Sequence, residues 1–212
     1  MALALTSLQR PSGEAELSKD SKKRAHLDIK LFGKWDFEVG VEDPGLKRYI
    51  CLEPKFLPHS GGRHEHKKFG KASVNIVERL INDMMRHGRC GGKKAKAMGI
   101  VKNALELIHL RTGKNPVEVL VRALENAAPR EEVTRVAYGG IVYPIAVDIA
   151  PQRRLDLALR HMAEGAREAA FNNFRTIDEC LAEEILNAYG GDSRSFAIRR
   201  KEEIERIALS SR

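Results

Sequence analysis

From Arg86 to Lys102 the sequence reads RHGRCGGKKAKAMGIVK, with six cations, Arg86, Arg89, Lys93, Lys94, Lys96 and Lys102, and no acid. Residues of these types hold phosphate oxygens, and the backbone amides at the start of a helix add to that attraction. A solvated basic face is the ordinary alternative for such a run, but the lack of any acid favours phosphate. Nucleotide hydrolysis is not indicated. A phosphate loop needs Gly where His87 stands, Ser or Thr where Lys94 stands, and a preceding strand.

A second basic stretch, KFLPHSGGRHEHKKFGK from Lys55 to Lys71, supplies Arg63, Lys67, Lys68 and Lys71. Its His64 and His66 lack the His-Glu-x-x-His spacing of a helical zinc site and sit among cations, so no metal is expected. The C-terminal RRKEEIER offers Arg199, Arg200 and Lys201, suited to ion pairs along a helix surface or to phosphate. No Ser-His-Asp or Cys-His pattern emerges. Glu131 and Glu132 are neighbours on an expected strand and face opposite ways, which rules against a shared acid-base pair. Cys51, Cys90 and Cys180 show no paired spacing and read as reduced thiols. No catalysis and no cofactor are expected.

The elements that must position these groups are mostly helical. Apolar spacing predicts helices from about Val74 to a stop at Gly88, Lys93 to Leu110, and Pro116, capped by Asn115, to Pro129. Further helices are expected from Pro151 to about Asn173, from Thr176 to Tyr189 with a Thr-x-x-Glu capping box, and from about Ser195. Between the third and fourth lies EEVTRVAYGGIVYPIAVDI, whose alternation about Gly139-Gly140 predicts a two-residue hairpin. That register pairs Tyr138 with Ile141, Val136 with Tyr143 and Thr134 with Ile145. One face is then apolar and aromatic, and the other presents Arg135. A lone two-stranded ribbon is marginal, so its base must lean on helices while its tip, at Tyr138, Gly139 and Gly140, projects.

The expected fold is mainly α: a bundle of about six helices, one protruding antiparallel β-hairpin at about 133–147, and an extended N-terminal segment. Residues 1–28 read as a mobile tail, 29–71 as extended chain and basic loop, and 72–212 as the helical RNA-binding domain. With 212 residues, 42% hydrophobic and 31% charged, the chain has globular composition, and its net charge of +8 points to a polyanionic partner. No stretch has the length and apolarity of a membrane span or secretory signal, so a cytoplasmic protein without a membrane partner is expected.

Three helices followed by a hairpin also match the order of a winged-helix DNA-binding regulator. Its reading helix would be PVEVLVRALENAA, which carries only Arg122 as a cation and looks like core. Charge on loops, tails and helix ends suits folded RNA better. An RNA-processing enzyme is a weaker third reading.

The stretches KLFGKW, FLPHSGGR, NIVERLINDMMRHGRCGGKKAKAMGIVKNALELIHLRTGKNP and GAREAAFNNFRTIDECLAEEILNA resemble ribosomal protein seven of the small subunit. The match is to its archaeal and eukaryotic branch, over about residues 30–212. The resemblance implies a primary binder of the 3′ major domain of small-subunit rRNA that organises the head. It also implies contact with exit-site tRNA and mRNA, and with head proteins such as ribosomal protein eleven. By position, Lys93 and Lys94 match the family's Gly-Lys-Lys loop, Arg153 and Arg154 its basic pair after the hairpin, and Gly139 and Gly140 the tip in bacterial members. Arg63, Lys67 and Lys68 match the basic region before the first helix. Bacterial members carry more Arg near the tip, where this chain has Val136, Ala137 and Tyr138, so stacking by Tyr138 stands as an alternative to phosphate contact there.

Overall fold

The computed structural model describes residues 29–62, 64–85 and 90–212, so the expected tail over 1–28 lies outside the described residues. Six helices form the bundle: α1 Ile76–Met84, α2 Lys94–Thr112, α3 Pro116–Ala127, α4 Pro151–Ala170, α5 Ile177–Tyr189 and α6 Phe196–Ser210. Before them come a single helical turn, Pro44–Lys47, and two short 3-10 turns, His64–His66 and Gly70–Ser73. Strands β1 Glu131–Tyr138 and β2 Ile141–Asp148 stand between α3 and α4.

Helix α5 lies at the centre, against α2, α3, α4 and α6. It buries Leu181, Ala182, Ile185 and Ala188, which meet the stripe of Val101, Leu105 and Ile108 from α2 and that of Leu155, Leu159 and Met162 from α4. Each fully buried Leu or Ile of this set contributes roughly 2 kcal/mol of apolar transfer. Gly165 sets the approach of α4 to α6, because a Cβ there would lie 2.6 Å from Phe196 Cβ and 3.2 Å from the Glu184 carboxyl carbon.

Helix ends follow local chemistry, with three departures from expectation. Gly113, at φ +67°, ends α2, and Ala128 turns extended ahead of Pro129 to end α3. Helix α1 stops at Met84, where the Met85 amide tightens onto the Asn82 carbonyl; Gly88 lies outside the described residues. Helix α4 stops at Ala170 rather than Asn173, because Phe171 turns extended. Thr176 takes the N-cap position of α5, yet its side chain makes no capping bond. The cap of α6 is stronger than Ser195 alone would give. Glu184 of α5 accepts from Ser195 Oγ at 2.7 Å, the Ala197 amide at 2.9 Å and the Phe196 amide at 3.2 Å.

Residues 29–52 wrap the bundle without forming a ladder. Leu31, Trp35, Phe37, Leu46 and Ile50 enter the same core as the helices, and the only strand-like pairings are isolated bridges, Leu31 with Trp35 and Cys51 with Asn75, among the described residues. Two helix caps clasp this wrap. Asn75 accepts from the Val77 amide and donates to the Glu53 carbonyl; Asn115 accepts from the Val117 amide and donates to the Asp36 carbonyl.

The hairpin has the expected register, from Glu131 opposite Asp148 to Tyr138 opposite Ile141. Gly139 and Gly140 both take positive φ, 59° and 83°, as a type I′ turn requires. The base leans on α6, whose Glu205 accepts from the Arg130 amide at 2.9 Å, and an ion pair joins Arg212 to Glu131. Beyond it Val136, Tyr138, Ile141, Val142 and Tyr143 are exposed. Pro144, opposite Arg135, has no amide to offer another strand.

Candidate nucleic-acid interface

The turn into α2 is shaped by Gly92 at φ +69° and by Lys93 at the N-cap, whose side chain makes no capping bond. No acid stands in the first turn of α2, so its amide end carries partial positive charge beside the exposed Lys93 and Lys96. Lys94 is different. Its Nζ lies 2.5 Å from Oε1 of Glu78, whose side chain is 2% exposed in α1. The same oxygen accepts from the Ser60 amide and hydroxyl, both at 2.9 Å, and Ser60 Oγ lies 2.8 Å from His64 Nε2. Burial alone would raise the Glu78 pKa, but the bonds from Lys94 and Ser60 outweigh it and hold the carboxyl below its ordinary range. Lys94 thereby ties the α2 turn to the basic loop.

On the other side of α1, Arg79 is buried and donates to Asp156 Oδ1 at 2.6 Å and to the Tyr49 carbonyl at 3.2 Å. Lys71 approaches the same Asp156 oxygen at 3.4 Å. Arg154 lies 3.0 Å from Asp43 Oδ2 and donates to the Pro129 carbonyl. Burial opposes ionisation of Asp43, yet the Gly45 amide and Arg154 hold its pKa below the ordinary value. Arg153 pairs with Glu132 at 2.7 Å, which raises the guanidinium pKa further. Arg200 pairs with Glu203, and Lys201 donates to the Asn126 carbonyl at 2.8 Å.

The expected contact residues therefore divide. Lys94 and Arg154 hold the fold together at the edges of the bundle. Lys67, Lys93, Lys96, Arg135 and Arg199 are exposed and make no ion pair among the described residues, and Lys68 lies 5.6 Å from the Phe69 ring centre. Tyr138 is 80% exposed at the tip, beside Gly139 and Gly140. Arg63, Arg86 and Arg89 lie outside the described residues. Glu78 and Asp43, which set this division, have no local sequence signature, since their partners come from 16 and 111 positions away.

Helix α3 buries Val117, Val119, Leu120, Val121, Ala123 and Leu124, and the outer stripe of Glu118, Arg122, Glu125 and Asn126 carries one cation, Arg122, which is paired with Glu42 and Glu125, so it offers no basic face to a DNA groove. Among the described residues no helix is long and apolar enough to cross a membrane, and no group of His, Cys, Asp or Glu is placed to hold a metal ion.

The profile of the family described as ribosomal protein S7p/S5e matches residues 46–212, most of the chain. The chain belongs to the S7p/S5e family. Its relatives include the small ribosomal subunit protein uS7 of Methanosphaera stadtmanae, 56% identical over 186 residues, which are 87% of this chain and all of that protein. The protein of the same name from Archaeoglobus fulgidus is 55% identical over 186 residues, 87% of this chain and 96% of its own. That of Methanothermobacter thermautotrophicus is 56% identical over 182 residues, 85% and 98%. The chain is thus a ribosomal protein of the archaeal S7p/S5e kind.

Proposed function

We propose that this chain is a structural, non-catalytic component of the small ribosomal subunit in the cytoplasm. It binds the 3′ major domain of small-subunit rRNA, organises the head, and extends its ribbon toward exit-site tRNA and mRNA, beside head proteins such as ribosomal protein eleven. The observation that carries this reading is the distribution of uncompensated charge. Lys67, Lys93, Lys96, Arg135 and Arg199 lie on a loop, a helix start, a ribbon and a C-terminal helix, around a bundle whose candidate reading helix is buried. Folded RNA approached from several sides matches that pattern better than a straight duplex. Phosphates supply affinity and RNA shape supplies selectivity.

The test is binding to a 3′-domain rRNA fragment across a salt series, against duplex DNA and scrambled RNA of equal length. Six phosphate contacts give a log-log slope of about −4 to −5. Selective binding to the fragment supports the proposal, and equal binding to all three polyanions overturns it.

A further inference from the structure

The two most exposed aromatic rings among the described residues stand together on the link between α4 and α5, Phe171 at 84% and Phe174 at 93%. Neither belongs to the charged surfaces above. The link is built rather than slack. The Phe171 amide donates to the Arg167 carbonyl at 3.0 Å, Asn172 takes the left-handed conformation at φ +53°, and Asn173 Nδ2 donates back to the Ala169 carbonyl at 3.3 Å. The α4 end thus turns both rings outward while Ile177 restarts the chain as α5.

An open groove of about 590 Å³ connects this link to the basic turn, lined by Cys90 from the turn, Arg167, Phe171 and Asn172 from the end of α4, and Ile177. Arg175, half exposed, sits beside Phe174 in the chain and is braced by Glu183 at 2.7 Å. Large apolar rings left in water are unfavourable until something covers them. The cover must tolerate a rim that leads from Cys90 into the turn before α2, where the Lys93 amide donates to the Cys90 carbonyl at 3.2 Å and the Lys93 and Lys96 side chains are exposed. A nucleobase meets both demands, with a flat π face for the ring and a phosphate for the rim. Bases within an A-form helix are stacked on one another, so the partner is unpaired RNA.

We propose that Phe171 and Phe174 are a stacking platform for unpaired rRNA bases, continuous through the groove with the Lys93 turn. The platform rests on the ribosomal reading and adds to it an aromatic subsite for single-stranded rRNA. It is tested on the full chain with the 3′-domain fragment. Phe171→Ala with Phe174→Ala lowers affinity tenfold or more and leaves the log-log salt slope unchanged, because stacking, not phosphate neutralisation, is lost. Both rings are exposed, so the melting temperature stays with that of the wild type. In Phe174→Trp, the added indole is quenched on RNA binding, while Trp35, 7% exposed, supplies a constant background.

Unchanged affinity in the double variant, with selective wild-type binding intact, overturns the platform and leaves the ribosomal reading standing. A double variant that binds RNA normally but enters reconstituted subunits poorly assigns the rings to a neighbouring protein and also overturns it. Wild-type protein that binds every polyanion alike removes the reading on which the platform rests.

Discussion

Lys94 Nζ lies 2.5 Å from Glu78 Oε1, so the two lysines of the Gly-Lys-Lys turn differ although they are adjacent. Lys94→Ala leaves a buried carboxylate without its cation and destabilises the protein by about 3 kcal/mol, the low end for such a loss because 19% of the Lys94 side chain is exposed. Lys93→Ala changes stability by less than about 0.5 kcal/mol but weakens RNA binding and reduces the salt slope by about 1. Denaturant melts and salt-dependent binding of the two variants separate these effects. Equal loss of stability in both would refute the division.

Acid should act through Glu78 and Asp43. Both carboxyls are held below their ordinary values of 4.5 and 3.8, so the unfolded chain takes up protons first as pH falls. Their stabilisation is complete above those values and is lost as pH drops through the lower folded ones. Glu78→Gln is therefore less stable at pH 7 and shows a shallower decline of stability below about pH 4.5, measured by urea melts at stepped pH.

His161 should act at milder pH. It is buried in α4 against Phe196, neither ring nitrogen has a hydrogen bond, and the Glu164 carboxylate is 3.7 Å away. Burial pushes its pKa below 6.5, opposed by Glu164 and assisted by Arg200 and Arg160. A depressed folded pKa means stability that is present above 6.5 and declines as pH falls through the folded value. His161→Leu leaves stability at pH 7.5 within about 1.5 kcal/mol of wild type and flattens the slope below pH 6.5. An unaltered slope in the variant would exclude His161 as its source.

Two glycines should respond oppositely to the same change. Gly165→Ala drives a Cβ into Phe196 and the Glu184 cap, for a net loss of about 1–2 kcal/mol after the gain in helix propensity. Gly99 is exposed on α2 with nothing within 4 Å of a built Cβ, so Gly99→Ala stabilises by about 0.5–1 kcal/mol. Thermal melts of the pair give the sign directly.

The two asparagine clasps should differ in strength with burial. Asn75 is fully buried, so Asn75→Ala strands the Val77 amide and the Glu53 carbonyl and costs about 2–4 kcal/mol. Asn115 is partly solvated and its replacement costs about 1–2 kcal/mol. Unfolding free energies from chemical denaturation check the ratio.

Local signals carried far in this sequence. The Gly139-Gly140 pair and the alternation around it set the hairpin register pair by pair, and Asn115-Pro116 marked a helix start where the structure has it, whereas α2 runs two residues past the expected Leu110 to Thr112. What was not legible depends on partners distant in sequence. Leu31, Trp35 and Phe37 become core without any periodicity, because irregular chain laid across helices has none to show. Glu78 stands in an apolar run and looks like a surface position, and only the fold brings Ser60 and Lys94 to it. Thr176 shows the converse: the capping pattern is present, but the side chain takes no part. Phe171 and Phe174 were hidden by the rule that aromatic rings go inside.

The wrap of residues 29–52 also has a consequence in time. Its restraints arrive in the order in which the chain is made: Asn75 first, then Glu106, Asn115 and Glu125, and last Arg154, which closes on Asp43 across 111 positions. The stretch around Asp43 must therefore wait for its last tie through the synthesis of five elements, α1, α2, α3, β1 and β2. Contacts of such wide separation form slowly, so the part of the described protein translated earliest is the part that settles latest.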